Sequence, residues 1–125
     1  TKNLTAAAER PLEAMHELKR DAFAMKEAVL KGQIGRIAEI LNSSWASKRR
    51  TAANVSSDRI DRAMSVAMAA GAKAGKVSGA GGGGFITFVV DPTRRTEVVR
   101  ALASLDGSVL ACSFTNNGAE SWRLE

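Results

Sequence analysis

One cysteine, one histidine and no tyrosine stand among the 125 residues. Cys112 is alone, so it closes no internal disulfide, and a reducing cytoplasm is the expected setting. His16 and Cys112 by themselves cannot build a zinc site, and no metal ligands are expected from this chain. A Cys/His nucleophile pair would need contact between two residues far apart in sequence, and nothing in the pattern supplies it. No apolar run approaches the ~20 residues of a membrane span, and no charged segment with an apolar one after it opens the chain. Neither a membrane partner nor a signal peptide is expected. Because Thr1 rather than Met stands first, the expectation is a piece of a longer protein.

Charge of one sign is also scarce in any one place. The net +5 invites a nucleic-acid reading. Yet residues 1–62 hold 12 Lys/Arg against 8 Asp/Glu, and 63–125 hold 6 against 5. Both signs interleave, as in Lys19, Arg20, Asp21 and Lys26, Glu27, which is the pattern of a solvated helix face. Only Lys48-Arg49-Arg50 is a compact basic cluster, and no aromatic side chains accompany it to stack bases. The balance excludes nucleic acid as the expected partner. An anionic small ligand beside a basic face fits at least as well.

What is present begins with helices. Leu12, Met15, Leu18, Ala22, Met25 and Val29 recur at three- and four-residue steps, so a first helix buries that stripe and stops near Gly32. A second follows with Ile34, Ile37, Leu41 and Trp45 inward. Residues 51–57 read as a polar loop. Ser57 is placed to cap a third helix, with Asp58 at the positive end of its dipole. Ile60, Met64, Ala67 and Met68 form its buried face and Gly71 its end. All four methionines are expected in the core, His16 at the surface.

The period then changes. Lys76-Val77-Ser78 is short and extended, and Phe85-Ile86-Thr87-Phe88-Val89-Val90 reads as a central strand buried on both faces. Asp91-Pro92 starts a fourth helix, lined by Val98, Leu102 and Leu105. Residues 108–115 and 119–124 are expected to form a hairpin about Asn116-Asn117-Gly118, with Cys112 a small core residue between Leu110 and Phe114. The order implies an α+β fold with an antiparallel sheet.

Five of the eleven glycines lie between Gly79 and Gly84. Gly79, Gly81 and Gly84 satisfy G-x-G-x-x-G, but a strand follows where a dinucleotide fingerprint needs a helix. Nor does Gly84-Phe85-Ile86 supply the Gly-Lys-Ser/Thr of a Walker loop. A strand–glycine loop–strand remains. Its successive amides can converge on an anion and let phosphate oxygens come close. The competing readings are a mobile connector, or glycines required where another backbone packs against them.

The run Lys76-Val77-Ser78-Gly79-Ala80-Gly81-Gly82-Gly83-Gly84-Phe85 resembles the third signature motif of the GHMP kinases. Leu41-Asn42-Ser43-Ser44-Trp45, with Lys48 and Arg49 after it, is similar to the heptose-7-phosphate 1-kinase and fucokinase-like branch. The order of elements also follows that family's C-terminal domain, so the likeness covers nearly the whole chain. It implies a ferredoxin-like domain over residues 1–125, with helices packed on one face of a four-stranded antiparallel sheet. It further implies ATP- and Mg²⁺-dependent phosphoryl transfer to a hydroxyl of a sugar or sugar phosphate. Ser78, Gly79, Ala80, Gly81, Gly82, Gly83 and Gly84 would form the phosphate or nucleotide loop. Trp45, Lys48 and Lys76 would lie on the substrate side.

The family's ATP loop and its acidic residue belong to an N-terminal domain, and no Gly-Leu-Gly-Ser-Ser-like run occurs here. The chain is therefore expected to carry no catalytic residue, to be inactive alone, and to dock onto that missing domain. Its uncovered face would otherwise pair in a homodimer. Several roles stay open at this point. Trp45 is equally an apolar anchor, Lys48-Arg49-Arg50 a solvated helix end, Lys76 an exposed strand-edge residue and Ser78 a turn former. A stand-alone module that holds a phosphorylated metabolite without catalysis is the alternative function.

Overall fold

Helix-forming residues dominate the first half of the chain, and the computed structural model folds them into one long and two shorter helices. It describes residues 2–79, 81–113, 115–118 and 121, with side chains from residue 9 onward. The order is α1 (Lys2–Leu30), α2 (Ile34–Arg49), α3 (Asp58–Ala69), β1 (Ala72–Val77), β2 (Ile86–Val90), a single 3-10 turn (Pro92–Arg94) and α4 (Arg95–Ala103). The fold is α+β. Ser57 caps α3 as its sequence position demands, its hydroxyl accepting from the Ile60 amide at 3.4 Å. Asp91 likewise accepts from the Thr93 amide at 3.0 Å. The chain enters α4 through a 3-10 turn that Pro92 opens, so this helix starts later than the sequence predicts.

The strands pair antiparallel, with Gly75 opposite Phe88, Lys76 opposite Thr87 and Val77 opposite Ile86, and a bulge between Ala72 and Ala74. Gly75 is a packing requirement here. A Cβ on it would come within 2.8 Å of the Phe88 ring and 2.7 Å of Met64 Sδ. Two apolar clusters flank the sheet. Trp45, Val55, Ile60 and Val77 form one, joined by Met64 and Ile86. Ala67, Ala72 and Val98 form the other, joined by Phe88, Val90 and Leu102.

Several expectations are corrected. The stripe that α1 buries is Ala14 and Ala28, with Asp21 half-buried between them, while Leu12, Met15 and Val29 are exposed. Small side chains let α1 lie close against α2, and of the bulkier stripe only Leu18 and Met25 are half-buried. Ile34 on α2 and Met68 on α3 are exposed as well. The sheet has two strands among the described residues rather than four. Its β2 is paired on one side only and half-buried, with Thr87 exposed, instead of lying centrally with both faces covered. Residues 108–113 form no strand and are exposed, Cys112 among them. An alternating pattern becomes a strand only where its apolar side finds cover, and Val109 and Leu110 find none. The second arm expected over 119–124 lies outside the described residues except for residue 121, which is not in a strand.

Candidate functional site

The two strands hold the glycine loop between their ends. The Ser78 amide donates to the Phe85 carbonyl at 2.8 Å, which closes the loop at its base. The loop then leans on the connection between α2 and α3. The Gly82 amide donates to the Val55 carbonyl at 3.3 Å. Gly81 adopts φ +108°, and a Cβ there would stand 2.5 Å from that same carbonyl oxygen. Glycine at 81 is therefore fixed by close backbone approach and by a conformation other residues avoid. Close backbone packing, one of the competing readings of the glycines, accounts for Gly81. Gly79, Gly82, Gly83 and Gly84 are exposed, and the amides of Ser78 and Gly82 make the two hydrogen bonds just given. Ala80 lies outside the described residues. A row of exposed glycine amides is a surface an anion can use.

Lys48 joins this loop to α2. Its ammonium donates to the Val77 carbonyl at 3.4 Å and to the Gly79 carbonyl. Next to it, Lys76 on β1 donates to Ser44 Oγ at 2.7 Å. Neither ammonium makes an ion pair among the described residues. Burial first, then the Lys48 charge, hold the Lys76 amine below the ordinary lysine value of 10.5, against a smaller opposing pull from Asp21. Two cations thus sit close together with little to neutralise them.

Both line a cavity of about 530 Å³ between α1, α2 and β1. Leu18, Met25, Ile40 and Leu41 make its apolar wall, and Asp21 and Ser44 add polar groups to those of the two lysines. Asp21 accepts a long hydrogen bond from Ser43 Oγ at 3.5 Å. Its other oxygen, Oδ2, is buried with no partner.

Of the expected substrate-side residues, Lys48 and Lys76 come together at this cavity. Trp45 does not line it. Its side chain is in the core, 8% exposed, against Val55, Ile60 and Val77, beneath the turn on which the loop rests. Arg49 and Arg50 point elsewhere, Arg49 to Asp61 at 3.4 Å and Arg50 to Glu17. Glu17 also accepts from the buried Ser47 hydroxyl at 2.6 Å, and that bond first, then Arg50, holds its carboxyl below the usual range. His16 is exposed, as expected. Sequence reasoning missed three contributors. Val55 is the one bulky apolar residue of a polar connection, Ser44 is hidden on the inner face of α2, and Asp21 stands seven residues from each of Ala14 and Ala28. That regular spacing was the available sign that Asp21 faces inward.

The family described as GHMP kinases, C terminal, matches residues 25–106. A D-glycero-alpha-D-manno-heptose 7-phosphate kinase of Campylobacter jejuni is 46% identical over 116 residues, covering 93% of this chain and 34% of that protein. The chain thus spans about a third of that relative's length. Among solved structures, a D-glycero-D-manno-heptose 1-phosphate kinase from Bacteriodes thetaiotaomicron superposes with TM-score 0.58 at 46% identity, covering 79% of this chain and 28% of that one. A Campylobacter jejuni protein described as a candidate sugar kinase superposes with TM-score 0.65 at 46% identity, over 90% and 34% of the two chains. Among the described residues no helix is long and apolar enough to cross a membrane. A glycine loop tied to a lysine-bearing cavity, and these likenesses across most of the chain, agree: the chain belongs to the GHMP kinases, as their C-terminal domain.

Proposed function

We propose that this chain is the C-terminal, substrate-side domain of an ATP-dependent kinase acting on a heptose phosphate in the cytoplasm. The observation that carries the reading is the pairing of the glycine loop with Lys48, whose ammonium holds the Gly79 carbonyl. Phosphoryl transfer depends chiefly on positioning and on neutralising charge, and an exposed glycine loop beside two ammonium groups serves both needs. Ser78, Gly79, Gly81, Gly82, Gly83 and Gly84 would line the phosphates, with Ala80 completing the run. Lys48 and Lys76 would face the sugar phosphate, and Trp45 would support the loop from below. The phosphate oxygens of ATP suit the loop amides. A Mg²⁺ ion would accompany the ATP phosphates and neutralise their charge.

The remaining two thirds of such an enzyme would supply the ATP-binding domain and the catalytic base. The exposed side of α1, with Leu12, Met15 and Phe23, would dock that domain, or a second copy where the domain is absent. The test is ATP consumption by the full-length protein against a panel of sugar phosphates that includes heptose 7-phosphates, with the 125-residue chain in parallel. Sugar-dependent turnover by the long form alone is the expected result. A long form inert with every sugar would leave a module that binds a phosphorylated metabolite without catalysis.

A further inference from the structure

The cavity between α1, α2 and β1 carries a specific imbalance. Asp21 Oδ2 is a buried acceptor with no donor, and leaving such an oxygen unpaired carries a desolvation cost that a bound donor would remove. Lys76 has one neutral partner, Ser44 Oγ, and Lys48 has two main-chain carbonyls. Two cations and one anion leave a net positive pocket whose acceptor is also unfilled. A ligand that brings an anion and a hydroxyl donor in one molecule satisfies both. The apolar walls from Leu18, Met25, Ile40 and Leu41 suit the C–H faces of a sugar.

We propose that this cavity is the subsite for a phosphorylated polyol, in which Lys76 and Lys48 receive the phosphate ester and Asp21 Oδ2 accepts from a sugar hydroxyl. The assignment deepens the kinase reading and rests on it for the choice of ligand. Asp21 is then a residue that selects the substrate. It distinguishes a hydroxyl-bearing phosphate from inorganic phosphate, which brings the anion but not the polyol. Burial first, then the Lys48 charge, lowers the Lys76 amine, and a dianion between the two ammonium groups offsets the second of these.

The experiment is calorimetric titration of heptose 7-phosphate into the full-length protein, its Asp21→Asn variant and its Lys76→Met variant, with turnover measured on the same samples. Asp21→Asn keeps the shape of the side chain, and thermal melting verifies that each variant is folded. The expected result is at least about tenfold weaker binding in both variants, as befits loss of a charge-assisted hydrogen bond. KM for the sugar phosphate rises in parallel while KM for ATP is unchanged. Inorganic phosphate should compete with the sugar in the wild type and in Asp21→Asn, but poorly in Lys76→Met. If the wild type binds the sugar phosphate without turning it over, the kinase reading fails and the subsite stands. If Asp21→Asn binds as the wild type does, or melts higher with binding unchanged, the cavity is a packing surface and the inference is overturned. No binding by the wild type overturns it as well.

Discussion

The ammonium of Lys48 holds the main-chain carbonyl of Gly79, which ties the last turn of α2 to the first glycine of the loop. A second bond from the same ammonium, to the Val77 carbonyl, anchors the end of β1. Lys48 is therefore a tether before it is a charge for any ligand. Lys48→Met retains most of the aliphatic stem and removes both bonds. The expected cost is about 1 kcal/mol of stability, with faster amide hydrogen exchange confined to residues 79–84. Unchanged exchange in the loop would show that the tether does not order it.

Lys76 makes stability depend on alkaline pH. Its amine loses its proton at a lower pH in the folded chain than the ordinary 10.5 of the unfolded one. Between those values the unfolded state binds more protons, so stability rises as pH increases. Below the folded value both states are protonated and the burden of the half-buried ammonium is felt in full. Denaturant unfolding across pH 7 to 10.5 should show the wild type gaining on Lys76→Met. Parallel curves would mean that Lys76 titrates as a solvated lysine.

Glu17 has the opposite sign at the acid end. The Ser47 hydroxyl, then Arg50, keep its carboxylate charged below the usual carboxylate range. The stabilisation it gives between α1 and α2 is present above pH 4.5 and is lost as pH falls through the lower, folded value. Glu17→Gln should therefore be less stable than the wild type at neutral pH and equal to it in strong acid. A deficit that persists at low pH would place the effect in packing rather than charge.

The elements with local causes were legible in the sequence. Ser57 and Asp91 cap what they precede because their oxygens meet amides two or three residues on, and Gly71 ends α3 at φ +110°. The glycine loop was legible for the same reason, since its bounds are set by neighbouring strands. The buried face of α1 was not. Spacing alone gives Leu12–Met15–Val29 and Ala14–Asp21–Ala28 equal claims, and the choice depends on α2, which accepts the smaller side chains. The hairpin expected over 108–124 failed at its first arm for want of a covering surface. Asp21 escaped notice because a carboxylate reads as solvated until its unpartnered oxygen is found inside.

Trp45 gives the core cluster its bulk, beside Val55, whose carbonyl supports Gly81 and Gly82. Trp45→Ala should cost about 3–5 kcal/mol in thermal or urea unfolding, as other large buried aromatics do. Trp45→Phe should recover most of that loss. A near-neutral alanine variant would mean that the loop does not rest on this cluster.

Phosphoryl transfer from ATP to heptose 7-phosphate by the full-length protein and its Gly81→Val variant, with Gly35→Ala as control, reads the part of the glycine loop in the reaction. At Gly81 any Cβ collides with the Val55 carbonyl at 2.5 Å and must adopt φ +108°, whereas Gly35 opens onto free space in α2. A loop displaced by about 1 Å should lose about 100-fold in kcat/KM, while Gly35→Ala keeps full activity and gains about 0.5–1 kcal/mol of stability. Wild-type kinetics in a folded Gly81→Val enzyme would contradict the account, because the loop would then have no part in transfer.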